Sequence, residues 1–278
     1  MEKSNTAMPT VAVTITSFHV NITPSRGVEL GRSGYSVRVS EPGPLRSGAV
    51  ETAAIVIPAH NEMRELPRTL RAVITAAACS PVPTSTVVVL DRCGDRSEEL
   101  AGDFGPDVHF VTVDAGNVGA ARAAGFTYAE KICTTANLAR TWYATTDADT
   151  QVDPDWLVRQ IDADADMVLG VVRVNDWRQH SAAAVRRYLL AYRRKARGRS
   201  HDHVHGANMG FRADAYWAVG GFRALPSGED VEIVERFTAA GYYIHRDAEL
   251  SVVTSARPAG RAPRGFAGYL RKVGGGAA

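Results

Sequence analysis

From residue 53 onwards, short uninterrupted apolar runs alternate with segments of helical periodicity, and this rhythm constrains the fold more than any other feature. Ala53–Ile57 is an apolar run closed by Pro58, which reads as a buried strand. Glu62–Ala78 follows with Leu66, Leu70, Val73 and Ile74 at helical spacing. The pattern repeats with a strand at Thr86–Leu90, a helix near Ser97–Asp103 and a strand at Val108–Val113. An alanine-rich helix from Val118 to Lys131 comes next, then a strand at Trp142–Thr146 that ends at Asp147. Strands that are apolar throughout must be covered on both faces, which parallel strands joined by crossover helices achieve. The predicted fold is therefore α/β, a Rossmann-like, mostly parallel central sheet flanked by helices. Ligands of such sheets gather at the carboxyl ends of the strands. The polar clusters of this half, Ala59–Glu62, Asp91–Asp95, Asp114–Gly119 and Asp147–Asp149, all fall there.

The second half reads as a smaller, mixed part. Met167–Val174 is a strand, Ser181–Arg199 a helix with a strongly basic face, and Gly206–Arg212 a strand punctuated by glycine. Gly228–Ala240 is a helix, and Tyr242–His245 and Leu250–Val253 close the sheet. Residues 1–50 read as an arm, with an edge strand around Val11, Val13 and Ile15. Residues 51–273 form the main domain, and 274–278 a frayed tail.

With 278 residues, the chain is ample for a large core, and 45% hydrophobic with 22% charged residues is ordinary for a globular protein. A net charge of +2 argues against nucleic acid as a partner. No stretch approaches the roughly 18 apolar residues of a membrane span. The cysteines, Cys79, Cys93 and Cys133, match neither a disulfide framework nor a zinc spacing, so a cytoplasmic setting is expected.

Four clusters carry chemistry. Asp147-Ala148-Asp149 places two carboxylates where they can turn towards one hard cation, and such an ion can bridge two phosphates. The bland alternative is a solvated turn, which Asp153-Pro154-Asp155 just downstream also fits. Asp91 at a strand tip can accept hydrogen bonds from a base or a ribose, while Ser97 fits a helix cap. Asn117-Val118-Gly119-Ala120-Ala121-Arg122 opens a helix with small residues, letting backbone approach a phosphate or ribose, and Arg122 can neutralise phosphate charge. Equally, Asn117 can simply cap a packing helix. Glu229-Asp230 opens the last long helix, either to suit its dipole or to supply a general base. His201, His203 and His205 form a trio read as a flexible polar loop, with metal binding or an acceptor loop as the alternative. The arginines before it form a solvated face, or one that meets an acidic acceptor or a membrane.

Taken in order, these segments resemble the family 2 glycosyltransferases, which have the GT-A fold. Val56-Ile57-Pro58-Ala59-His60-Asn61-Glu62 is similar to that family's first-strand signature. Asp91 matches its base-contacting acid, although the usual D-D-G-S-x-D reads Asp91-Arg92-Cys93-Gly94-Asp95-Arg96-Ser97. Asn117 and Gly119 match the motif near the ribose and diphosphate, and Asp147 and Asp149 the metal-binding D-x-D. Gly206–Arg212 resembles the acceptor-side strand, and Glu229-Asp230 the E-D motif. The resemblance covers about residues 53–257. It implies donor contacts from Pro58, Ala59, Asn61, Glu62, Asp91, Asn117, Gly119 and Asp147, to which the residue reading adds Arg122 and Arg257. It implies an acceptor side at His205, Gly206 and Asn208, a manganese or magnesium ion on Asp147 and Asp149, and Asp230 as base supported by Glu229.

The function so implied is transfer of a sugar from a UDP- or GDP-sugar to an unnamed hydroxyl acceptor, with inversion; the basic face, where it is not simply solvated, would suit an acidic or membrane-associated acceptor. The family often places a histidine near the end of the catalytic region as a further metal ligand. Here Val253-Thr254-Ser255-Ala256-Arg257 has none, and Arg257, Arg261 and Arg264 instead form a candidate cationic lid. A nucleotidyltransferase would need a glycine-rich basic loop where Ala59–Glu62 stands. The alternative is a catalytically silent nucleotide-sugar-binding protein; intact Asp91, Asp147, Asp149 and Asp230 argue against it, and an assay of donor hydrolysis or transfer with added manganese separates the two.

Overall fold

Burial on both faces is what makes the apolar runs central strands. The computed structural model describes residues 48–133, 137–255 and 257. In the first half these form β1 (Thr52–Ala59), α1 (Leu66–Cys79), β2 (Thr84–Asp91), β3 (Val108–Val113), α2 (Val118–Ile132) and β4 (Thr141–Thr145). Then come β5 (Thr150–Gln151), α3 (Trp156–Asp162), β6 (Met167–Val174), α4 (Ala182–Arg193), β7 (Ala196–Arg197) and β8 (Ser200–His201). The last elements are β9 (Met209–Arg212), α5 (Ala213–Ala218), α6 (Glu229–Ala239) and β10 (Ile244–Thr254).

Eight strands make one sheet in the order β3-β2-β1-β4-β9-β6-β10-β5. The β3-β2-β1-β4 portion is parallel throughout. β9 runs antiparallel to both β4 and β6, β6 and β10 are parallel, and β5 is antiparallel at the edge. A parallel half thus passes into a mixed half at β9, the α/β architecture expected from the strand–helix rhythm.

Side chains alternate across β1, and both sets are buried. Ala53, Ile55 and Ile57 join Leu66, Leu70, Val73, Trp156 and Leu157 under α1 and α3. Ala54 and Val56 face the opposite layer, an aromatic core of Phe126, Tyr143, Phe211, Tyr216 and Phe237 beneath α2, α5 and α6. Phe126 packs at 4.9 Å from both the Tyr143 and Tyr216 rings. α2 lies close to the sheet at Gly125, where an added Cβ would come within 2.4 Å of Val56 Cγ1 and 2.8 Å of Val89 Cγ2. Gly125→Ala should therefore destabilise the fold. Overpacking costs about 1–3 kcal/mol, against a gain of about 1 kcal/mol in helix propensity. Denaturant titration measures the balance, and a variant more stable than the parent would show that α2 does not sit this tightly.

Several elements depart from the sequence expectation. The helix near Ser97–Asp103 is a single 3₁₀ turn at Ser97–Leu100, because Arg96 precedes it in the left-handed region and Gly102 and Gly105 follow at φ of 93° and 91°. The long basic helix stops at Arg193. Gly198, at φ of 62°, turns the chain into the β7–β8 hairpin. The two short closing strands are one strand, β10, whose pairing with β6 shifts register between Arg246 and Ser251. α3 and α5 were not anticipated. The arm strand at Val11–Ile15, the arginines Arg261 and Arg264, and the tail at 274–278 lie outside the described residues.

Candidate active site

Because β1, β2 and β4 are parallel neighbours, the loops leaving their carboxyl ends meet along one edge of the sheet. Pro58 and Ala59 end β1, and the loop after them is knitted to the one after β2. Asn61, at φ of 55°, accepts the Gly94 N–H on its side-chain oxygen at 2.7 Å, while its own N–H points to Cys93 Sγ at 3.3 Å. Asp95 accepts the Met63 N–H at 2.8 Å. Asp91, at the tip of β2, is buried and cradles the next loop. Its carboxylate accepts the N–H groups of Ala115 and Gly116 at 2.8 Å and of Asn117 at 2.9 Å.

Asn117 caps α2, accepting the Ala120 N–H at 3.0 Å and donating to the Leu225 carbonyl at 2.6 Å. Gly119 is also in close approach, but to this chain's own backbone: a Cβ there would lie 2.1 Å from the Arg223 carbonyl oxygen. The first turn of α2 is thus pinned under the loop that leads to α6.

One turn further, Arg122 is 2% exposed and lies between two acids. It donates to Asp147 Oδ1 at 2.7 Å and to Glu229 Oε1 at 2.6 Å, with Phe222 beneath the guanidinium at 5.5 Å. Burial works against its charge, and Asp147, Glu229 and Asp230 outweigh that effect, so its pKa is raised further. Asp230, half-buried beside Glu229, accepts the Gly206 N–H at 3.1 Å and the Val231 N–H at 2.9 Å. A side chain on Gly206 would collide with Arg122, at 2.5 Å from Nη2. The D-x-D loop, the start of α6 and the segment before β9 therefore meet around one guanidinium.

Asp149, whose side chain is only 12% exposed, pairs with Arg257 at 3.0 Å. Arg257 also grips Glu62 with two hydrogen bonds, at 2.9 and 2.5 Å. Burial pushes the Asp149 carboxyl up to about 6; Arg257 opposes the rise, and Asp147 and Glu62 add to it. Asp149, Arg257 and Glu62 line a cleft of about 480 Å³, together with Arg68, Gln151 and Thr254, whereas Asp91, Asp147 and Asp230 do not line it. The Thr254 hydroxyl reaches Asp149 Oδ1 at 3.4 Å.

The histidine trio is not a flexible polar loop. His201 and His203 are buried: His201 Nε2 lies 3.0 Å from the Leu169 carbonyl, and the His203 ring stacks on Tyr192 at 3.7 Å. His205 continues the stack beside His203, with Nε2 3.3 Å from the Tyr192 hydroxyl. Burial first, then neighbouring imidazoles, lowers His203 to about 4 and His205 to about 3. Asn208 is fully buried and its amide is spent within the fold. It donates to the Val171 and Leu250 carbonyls and accepts from Trp156 Nε1, all at 2.9 Å.

Among the described residues no three His, Cys, Asp or Glu side chains form a metal-binding group. Asp147 and Asp149 are paired with Arg122 and Arg257 respectively; one or two carboxylates can hold a hard cation where substrate phosphates and water complete the shell. A buried carboxyl pushed up to about 6 is a group whose ionised form gains from a nearby cation.

No curated protein matches the sequence. Among solved structures, TarS 1-349 of S. aureus in complex with UDP-GlcNAc is similar at a TM-score of 0.54 and 13% identity, over 77% of this chain and 61% of that one. The mannosyltransferase PcManGT of Pyrobaculum calidifontis, in complex with GDP-Man and Mn2+, is similar at a TM-score of 0.53 and 17% identity, over 80% and 61%. The chain thus spans about three fifths of each. These likenesses define the fold as the GT-A type. The chain belongs to glycosyl transferase family 2, whose profile matches residues 54–220. That match includes Asp91, Asp147, Asp149 and Asn208 and stops short of Glu229, Asp230 and Arg257.

Proposed function

We propose that this chain transfers a sugar from a nucleotide-diphosphate sugar, UDP- or GDP-linked, to a hydroxyl acceptor with inversion at the anomeric carbon. The observation that carries the reading is Arg122, which ties Asp147 on the donor side to Glu229 beside Asp230. Asp230 takes the proton of the acceptor hydroxyl. The acceptor oxygen bonds to the anomeric carbon, and the bond from that carbon to the diphosphate breaks, its electron pair leaving with the nucleoside diphosphate. The Gly206 and Val231 N–H groups hold Asp230 in place, and Glu229 supports it by fixing Arg122. Asp91 and the loop it cradles, with Asn61, Asn117 and Gly119, would border the nucleoside, and Glu62 and Arg257, which line the 480 Å³ cleft, would border the diphosphate. His205 and Gly206 border the acceptor, with Asn208 fixing the strands behind them. A divalent ion, manganese or magnesium, held by Asp149 and Asp147 would neutralise charge on the departing diphosphate. PcManGT, whose fold is similar, holds Mn2+ with GDP-Man, which supports that part of the reading. Free thiols at Cys79, Cys93 and Cys133 suit a reducing, cytoplasmic setting. No described helix is long and apolar enough to cross a membrane.

A thermal-shift screen of UDP, GDP and their sugars, with and without manganese, tests donor binding, since a ligand of the native state raises the melting temperature. Stabilisation by none of them would refute the reading. Asp230→Asn should keep the nucleotide shift and lose about 10²–10⁴-fold in transfer rate, the range for a general base. Unchanged transfer would place the base elsewhere.

A second reading is favoured by the 3.0 Å Arg257–Asp149 pair: the guanidinium itself supplies the positive charge at the diphosphate. Transfer that survives exhaustive chelation but not Arg257→Gln would establish it.

A further inference from the structure

The outward face of α4 combines two features that solvent alone does not explain. Between Ser181 and Ser200 the sequence has seven lysines and arginines and no acid. The inward face of the helix is fully employed. Tyr188 is buried with Val174 and Trp177, and the Tyr192 hydroxyl accepts the Val172 N–H at 2.8 Å. Outward stand Leu189, 38% exposed, and Leu190, 54% exposed, two of the four exposed large hydrophobic residues among those described. At about 100° per residue, Leu190 falls between the row of Arg186 and Arg193 and the row of Arg187 and Arg194, with Leu189 flanking the first row. All four arginines are exposed.

A lone exposed leucine needs no account. Arginines in the last turn are favoured by the helix dipole, which covers Arg193 and Arg194 but not Arg186 and Arg187. A solvated face normally mixes both signs of charge. A soluble polyanion would explain the arginines and leave the leucines in water. One environment satisfies both, a negatively charged lipid surface, where guanidinium groups meet phosphates and the leucines enter the acyl boundary between them.

We propose that α4 docks this protein onto anionic membrane through Leu189, Leu190 and the surrounding arginines. The docking rests on the helix surface alone and stands apart from the reading of the transfer site. Co-sedimentation of the full chain with vesicles of phosphatidylcholine, with and without phosphatidylserine, tests it. Binding is expected only to the phosphatidylserine vesicles, weakening as salt rises. The pair Leu189→Ser with Leu190→Ser should weaken vesicle binding about tenfold while retention on heparin stays unchanged. Arg186→Gln with Arg193→Gln and Arg194→Gln should abolish both, and an unchanged melting temperature shows that each variant is folded. Failure of the parent to bind charged vesicles would overturn the proposal. So would vesicle binding indifferent to the leucine pair, which would mark α4 as a polyanion site or assign the contact to another segment.

Discussion

Arg122→Met should lose about 3–5 kcal/mol of folding stability, the usual consequence of removing one partner from a buried ion cluster. The guanidinium is 2% exposed and satisfies Asp147 and Glu229 directly. Without it, the carboxylate of Glu229 stays buried beside that of Asp147 with Asp230 nearby, and like charges in low dielectric repel strongly. Methionine fills the space above Phe222, so the loss is electrostatic rather than a cavity effect. Pairing Arg122→Met with Glu229→Gln should recover part of it, because the most buried of the orphaned charges is then gone. Arg122→Lys should fall between, since one ammonium cannot reach two acids with the geometry of a planar fork. Urea titration of the four proteins checks the order. A single Arg122→Met variant as stable as the parent would mean that the acids meet water, and that no guanidinium joins the donor side to the start of α6. Transfer should fall along with stability, since Arg122 is what keeps Asp147 and Glu229 in register.

Arg122 also shows what could be read from the sequence. Its place in an alanine-rich helix opening after a strand pointed to a position beside the strand tips, and the parallel order β3-β2-β1-β4 puts it there. That its charge is absorbed by this chain's own acids was not legible, because Glu229 lies 107 residues away. The Arg257–Glu62 pair spans 195 residues and left no local trace either. β3 and β6 match their expected bounds because their apolar runs are closed off by Asp107 and Asp114 and by Asp166 and Asn175, which leaves little choice. α3 and α5, of 7 and 6 residues, are too short to show a helical period and are held by burial of Trp156, Leu157 and Tyr216. The histidine trio misled for a different reason. Spacing in sequence says nothing about a Tyr192 ring lying 3.7 Å over His203, so residues polar by type suggest a flexible loop where packing makes a stack.

Asp149→Asn should abolish transfer and leave the protein more stable than the parent above neutral pH. The carboxyl sits at about 6 because burial resists its charge more than Arg257 supports it, with Asp147 and Glu62 adding repulsion. The sign follows from the proton count. The native state holds the Asp149 proton up to about 6, whereas the unfolded chain releases it near the ordinary aspartate value, so the native state binds more protons between the two. Stability from this group is therefore greatest in acid, falls as pH rises through that window, and stays low above it. The gap amounts to about 3 kcal/mol. Asparagine mimics the protonated form, so the variant should match the parent near pH 4 and exceed it by up to about 3 kcal/mol at pH 8. Taking the difference between the two proteins cancels the opposing contribution of His203 and His205, which must charge as the pH falls. Denaturant titrations of both proteins across this range measure the difference. Because a cation binds only the ionised carboxyl, the affinity of the metal-free parent for manganese should rise with pH through about 6. A variant less stable than the parent at every pH would show that Asp149 serves the fold through Arg257 rather than waiting, strained, for a ligand.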